Sequence, residues 1–315
     1  MLGRSANGVF WMTRYLERAE NTARLLDAGF RMALTRGDSA SADEWRSVLV
    51  TMGLDRAFAE ARGADYSGSQ VCNFILRAPD NPGSVRAMLE TARTNARMVR
   101  TAITREVWEG TNEAWMALNE ALARPVRETN LGDVLSLIRR HTTLVRGAMD
   151  GTMLRNEIFN FARIGTFIER ADNTARILDV KYHVLLPSVA WVGSSLDHVQ
   201  WETVLRSVAG DRAYRWLNAG RLDARGIAQF LLLDGRFPRS LAFCYAKLSS
   251  NMAGLAREYG AETPSHTLLH AACARLDQTT VEQIIEAGLH ETIVSFLRRN
   301  GELAVAIAND YRFIE

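Results

Sequence analysis

Glu17, Arg18, Asn21 and Arg24 return in the same register later in the 315-residue chain as Glu169, Arg170, Asn173 and Arg176. Wound into a helix at about 100° per residue, Arg14, Glu17, Glu20, Asn21 and Arg24 fall on one side. Tyr15, Leu16, Ala19, Thr22, Ala23 and Leu26 fall on the other, with Arg18 and Leu25 at the border. A carboxylate in such a set accepts an amine or a metal-bound water, or carries a proton; a guanidinium clamps a carboxylate or phosphate. Three arrangements accommodate this face. Two such helices can meet and bridge their Glu and Arg side chains in a partly buried ion-pair network that fixes register more than it stabilises. The residues can instead line a cleft, with Glu17 and Glu169 as acid/base groups and Arg24 and Arg176 as anion clamps. Or the face is solvated, its acid-before-base pairs Glu20–Arg24 and Asp172–Arg176 each contributing about 0.2–0.5 kcal/mol. Asn and Thr are mediocre helix formers, so their repetition in register argues for a specific constraint over solvation.

The elements that must position these residues are helical. Apolar positions recur with helical period between short Gly, Pro, Asp and Ser breaks, and β-branched alternation is almost absent. The pattern predicts an all-α chain with helices over 4–35, 43–60, 69–78, 82–106, 108–123, 131–149, 155–185, 196–208, 223–233, 238–259, 266–276 and 280–310. Asn81-Pro82 reads as an N-cap with Pro at the first helical position, and Gly37-Asp38-Ser39 and Leu186-Pro187-Ser188 end the two longest segments.

The run from Tyr15 to Asp27 returns from Phe167 to Asp179, 152 residues on. Trp45, Val48, Leu49 and Asp55-Arg56-Ala57-Phe58 return as Trp201, Val204, Leu205 and Asp211-Arg212-Ala213-Tyr214, and Phe74, Pro82 and Ser84 as Phe230, Pro238 and Ser240. Ser136 to Arg140 is echoed by Ser295 to Arg299. Ordered matches at slowly drifting offsets predict two tandem homologous repeats, approximately 1–150 and 151–315, fused as one helical bundle with pseudo-twofold symmetry. Met149-Asp150-Gly151 is too short a break for a linker, so 1–315 reads as a single domain sharing one core.

Composition narrows the function classes. A net charge of +2 with basic residues spread along the chain carries no nucleic-acid or anionic-membrane footprint. All but two of the 38 basic residues are arginine, which genome base composition explains as readily as function does. Neither a signal peptide nor a membrane-span run is present, so a cytoplasmic protein is expected. Cys72, Cys244 and Cys273 form no CxxC pair and read as small core hydrophobes. A P-loop, GxGxxG and GxSxG are all missing, so nucleotide binding by those routes and serine nucleophile chemistry are disfavoured and no cofactor is expected. No His has Glu three residues before it, which disfavours a ferritin-like metal site; His266 and His270, with Glu262 a turn earlier, fit a surface or capping role better than a metal site. The tryptophans, Trp11, Trp45, Trp108, Trp115, Trp191, Trp201 and Trp216, mostly suit packing positions. Asp55-Arg56 and Asp211-Arg212 suit loop fixing or capping, and Arg139-Arg140 and Arg298-Arg299 suit helix ends.

Trp11, the run Arg14 to Asp27 and the run Ile168 to Thr174 together resemble the alpha-E domain proteins, bacterial all-helical proteins defined by a Glu-Arg motif. The resemblance covers essentially the whole chain. It implies a setting beside circularly permuted ATP-grasp proteins and transglutaminase-like cysteine peptidases, hence a part in making, attaching or removing a peptide-like amide. The ATP would then belong to a partner, and this chain would bind that partner or its peptide substrate; a direct acid/base role for the Glu-Arg face and a plain scaffold are the alternatives. Oligomeric state is left open. Where the family often has Gly-Arg before the second motif, this chain has Gly165-Thr166, Thr166 matching Arg14 of the first copy.

Overall fold

A computed structural model describes residues 3–36, 38–183 and 195–313, and among them every regular element is a helix. In chain order these are α1 (Gly3–Arg36), α2 (Asp38–Met52), α3 (Asp55–Arg62), α4 (Gly68–Arg77), α5 (Val85–Met98), α6 (Arg105–Ala121) and α7 (Glu128–Thr152). They are followed by α8 (Glu157–His183), α9 (Ser195–Ser207), α10 (Asp211–Leu217), α11 (Ala224–Leu233), α12 (Leu241–Tyr259), α13 (Pro264–Gln278), α14 (Val281–Ala287) and α15 (Leu289–Asp310). Gly37, Leu186-Pro187-Ser188 and Trp191, read above as turns or packing residues, lie outside the described residues.

Local chemistry sets most ends. Ser84, Thr104, Asp223, Ser240 and Thr280 each accept a hydrogen bond from a backbone N–H in the first turn that follows, satisfying a donor the helix leaves orphaned. α5 therefore starts at Val85, three residues after the predicted start. Asn81 instead closes the preceding turn, its amide donating to the Phe74 carbonyl at 3.0 Å and its side-chain oxygen accepting from Gly83 N at 2.9 Å. The predicted 43–60 helix is two, because Gly53 takes a left-handed φ of 69° and the Leu54 N–H turns back to the Leu49 carbonyl at 2.8 Å. The predicted 280–310 helix is likewise split, at Gly288 with φ 92°.

The two long helices α1 and α8 pack on each other through the centre of the bundle. α1 also packs against α2, α5, α7 and α9; α8 packs against α2, α9, α11, α12 and α15. Outer layers form where α6 covers α5 and α7, and α13 covers α12 and α15. One hydrophobic cluster runs through all of it, from Phe10 and Leu26 through Phe74 and Ile138 to Phe161, Phe167, Tyr245 and Ile307. The α1–α8 crossing is close at Gly165, where an added Cβ would lie 2.4 Å from the Phe10 carbonyl oxygen and 2.5 Å from the Thr13 hydroxyl oxygen. That proximity lets charged side chains from one long helix reach the other. No described helix is long and apolar enough to cross a membrane.

Candidate functional site, the paired Glu-Arg helices

Being surrounded, α1 and α8 bury much of the polar face that the helical wheel sets opposite the apolar one. Glu17 is 2 % exposed, and Glu20, Asn21, Glu169 and Arg170 are also buried. Charges taken this far from water must be paired and hydrogen-bonded.

The pairing is reciprocal between the helices. Arg170 of α8 grips Glu17 of α1 in a fork, Nε to Oε1 at 2.8 Å and Nη2 to Oε2 at 2.9 Å. Arg18 of α1 grips Glu169 of α8 in the same way, at 2.5 and 2.9 Å. Beyond that the two ends differ. Arg14 donates to Glu169 at 2.9 Å, whereas Thr166 at the aligned position turns its hydroxyl back to the Ala162 carbonyl at 3.0 Å. Glu17 takes its further cations from elsewhere in the fold: Arg239 at 3.1 Å from the turn before α12, and Arg146 at 3.4 Å from α7.

Arg239 is the hub of the first cluster. Its Nη1 donates to Glu17 and to the Asn21 side-chain oxygen at 2.8 Å, and its Nη2 donates to Glu20 at 2.7 Å. Glu20 also accepts from Arg24 at 3.0 and 2.8 Å, from Arg146, and from the Thr142 hydroxyl at 3.4 Å. Of the residues singled out in the sequence, Glu17, Asn21, Arg24 and Arg170 meet here. Glu169 and Arg18 form the second cluster, while Arg176 pairs with Asp172 at 2.6 Å on a more exposed stretch of α8. The side chain of Asn173 makes no hydrogen bond among the described residues. Arg146 and Arg239 are partners that the repeated motif does not announce.

Electrostatics follow from this geometry. Burial raises the Glu17 pKa, but Arg170, Arg239 and Arg146 outweigh it and hold the carboxyl well below the usual range. Burial and the Glu17 charge both raise Glu20, and Arg239, Arg146 and Arg24 reverse them to a net lowering. Glu169 is lowered as Arg14 and Arg18 overcome its burial. Burial pushes the Arg239 guanidinium down to about 10, so it stays charged at neutral pH. These are carboxylates fixed in the ionised state.

Beside the second cluster lies a cavity of about 310 Å³. Arg18, Glu169, Asp172, Asn173 and Arg176 form its polar side, and Leu25, Met52, Leu54 and Met88 its apolar side.

The remaining sequence candidates are structural. His266 accepts the Thr263 N–H at Nδ1 (3.0 Å), which leaves Nε2 to donate to the Met252 carbonyl at 2.9 Å; it caps α13, and His270 is exposed. No group of metal-ligating side chains occurs among the described residues. Cys72 and Cys244 are buried, the Cys244 thiol pushed up to about 12 by burial. Asp55 ties to Arg46 at 3.3 Å, and Arg139 reaches Asp27 at 3.4 Å and Ser136 at 3.2 Å. Trp45 and Trp201 are core; Trp216 departs from its packing expectation, 88 % exposed on the short α10.

An all-helical bundle threaded by two Glu-Arg helices that exchange ion pairs is the class these observations define. The chain belongs to the Alpha-E family, described as a predicted alpha-helical domain with a conserved ER motif, whose model matches residues 1–311. It is similar to the uncharacterized protein Rv2567 of Mycobacterium tuberculosis and the uncharacterized protein Mb2597 of Mycobacterium bovis. Each is 23% identical over 313 residues, covering 93% of this chain and 35% of the relative. The chain thus spans about a third of the length of the curated relatives it matches. No solved structure matches it.

Proposed function

We propose that this chain is a binding component, not the nucleotide-using one, of a peptide or amide modification system. Its other members would be a circularly permuted ATP-grasp protein and a transglutaminase-like peptidase, and the ATP of such chemistry sets the system in the cytoplasm. The observation that carries the reading is that Glu17, Glu20 and Glu169 are each held by two or more guanidiniums while a part-polar cavity opens beside Glu169. A general acid or base exchanges protons near neutral pH. Glu17 and Glu169, lowered and clamped, are better suited to positioning helices and shaping the cavity than to acid/base catalysis.

The reading includes two tandem repeats, 1–150 and 151–315, in one domain with pseudo-twofold symmetry. In support, the packings of α1 on α5, α7 and α9 have counterparts in those of α8 on α12, α15 and α2. Likewise α5 packs on α6 and on α4, as α12 does on α13 and on α11.

The test is affinity purification of the tagged chain from its native host at low salt, then assay of the complex for ATP turnover with candidate amines and carboxylates. Recovery of an ATP-grasp protein whose turnover needs this chain is the expected result. Recovery of the chain alone, or full ligase activity from the ATP-grasp protein by itself, overturns it. Co-purification without any effect on turnover would leave a plain scaffold.

A further inference from the structure

The molecule contains its own example of what the cavity beside Glu169 would hold. In the first cluster a guanidinium, that of Arg239, sits among Glu17, Glu20 and Asn21. Under the two-repeat reading, on which this inference rests, those three residues correspond to Glu169, Asp172 and Asn173. Arg239 itself, between Pro238 and Ser240, corresponds to Gly83, between Pro82 and Ser84. All four counterparts line the cavity. Where one half supplies a guanidinium from its own chain, the other supplies a glycine and a space.

The two asparagine side-chain oxygens differ as that comparison requires. The side-chain oxygen of Asn21 accepts from Arg239, whereas the side chain of Asn173 makes no hydrogen bond among the described residues. Asp172 is one methylene shorter than Glu20, which widens the space. Thr22, 4 % exposed, also lines the cavity.

Charge matches too. Without Arg239 the first cluster sets the carboxylates of Glu17 and Glu20 against the guanidiniums of Arg24, Arg146 and Arg170. The second sets Glu169 and Asp172 against Arg14, Arg18 and Arg176. Both therefore carry two negative and three positive groups, and the first accepts one further guanidinium in that state. The apolar side formed by Met52, Leu54 and Met88 suits the methylene stem behind such a head group. At about 310 Å³ the cavity is at the lower end of ligand sites, the size class of one side chain or a small metabolite.

We propose that this cavity binds a guanidinium group, that of an arginine side chain presented by a peptide or of a free guanidino compound. Asn173 and Asp172 would accept from it as Asn21 and Glu20 accept from Arg239, with Gly83 leaving the room.

The experiment is isothermal titration calorimetry of the full chain with N-acetyl-arginine N-methylamide, its citrulline counterpart and free arginine. The arginine probes should bind about tenfold or more tighter than citrulline, which keeps the shape and loses the charge. The blocked probe matching or exceeding free arginine identifies a peptide side chain as the source, and the reverse order a free guanidino compound. Gly83→Arg, which fills the space from within, should abolish binding. Asn173→Ala should weaken it about tenfold even if Gly83→Arg folds poorly, with far-UV circular dichroism checking both variants. No saturable binding by wild type at about 10 mM, equal binding of citrulline, or binding that survives in folded Gly83→Arg and Asn173→Ala overturns the proposal. Arginine binding without capture of an ATP-grasp protein would unseat only the system reading above; capture without arginine binding would unseat only this one.

Discussion

Glu17 sits where three guanidiniums converge, and its replacement reports on all of them at once. Glu17→Gln keeps the shape but leaves buried Arg170 without its paired carboxylate and Arg239 with Glu20 alone, and removing one partner of a buried ion pair costs about 3–5 kcal/mol. Glu169→Gln should cost less, about 1.5–3 kcal/mol, because Arg18 is 39 % exposed and water takes over part of its hydration. Urea denaturation followed at 222 nm orders the two; equal losses would mean the first cluster gains nothing from its deeper burial. The same carboxylates set an acid limit. In the unfolded chain they bind protons near the ordinary value of 4.5, while in the folded protein Glu17, Glu20 and Glu169 resist protonation. Their contribution is therefore complete above that value and is lost as pH falls below it toward the lowered folded values. Stability measured from pH 6 down to pH 3 should fall steeply below about pH 4.5, less steeply in Glu17→Gln. A parallel slope in the variant would remove Glu17 from the account.

At the scale of elements, the crossing of α1 and α8 decides whether those pairs can form. Gly165→Ala places a methyl group against the Phe10 carbonyl, where only a backbone shift makes room, and should destabilise by roughly 1–3 kcal/mol. Gly147→Ala, on an exposed stretch of α7 with nothing near the new atom, should instead stabilise by about 0.5–1 kcal/mol. Thermal melts of the two variants should move in opposite directions, and a shared direction would deny that the crossing is tight. This level also shows what could be read in the sequence. Helical period and the repeated Glu-Arg runs identify α1 and α8 and their charged residues, because both signals are local. The breaks at Gly53 and Gly288 escape the same reading, since apolar periodicity continues across them into Phe58 and Ile293 and only a positive φ marks the turn. Arg146 and Arg239 escape it for another reason: they reach Glu20 across 126 and 219 residues, and no spacing rule spans that distance. One signal for Arg239 was present. It stands between Pro238 and Ser240 as Gly83 stands between Pro82 and Ser84, so an arginine in one Pro-x-Ser turn and a glycine in the other is a difference legible in the sequence.

For the whole molecule, the central pair makes the N-terminal and C-terminal halves each other's core. α1 packs on α8 and α9, and α2 packs on α8, so a half on its own would uncover this contact, Phe10 on Phe313 included, and would leave Glu17 with Arg146 alone or Glu169 without Arg14 and Arg18. The connection between α7 and α8 runs through Leu154, exposed on the surface, and cutting there breaks no helix. Residues 1–154 and 155–315 produced together as separate chains should therefore associate one to one, each half supplying the other's ion-pair partners. An isologous dimer of the first half would reproduce Glu17–Arg18 exchange in place of Glu17–Arg170 and Glu169–Arg18. It fails at the crossing: Thr13 aligns with Gly165, and a side chain at that position meets the Phe10 carbonyl of the facing helix. Size-exclusion chromatography with light scattering should thus find the mixed complex and no stable dimer of 1–154. A well-behaved homodimer of 1–154 would show that the close approach at Gly165 is not what binds these particular halves to each other.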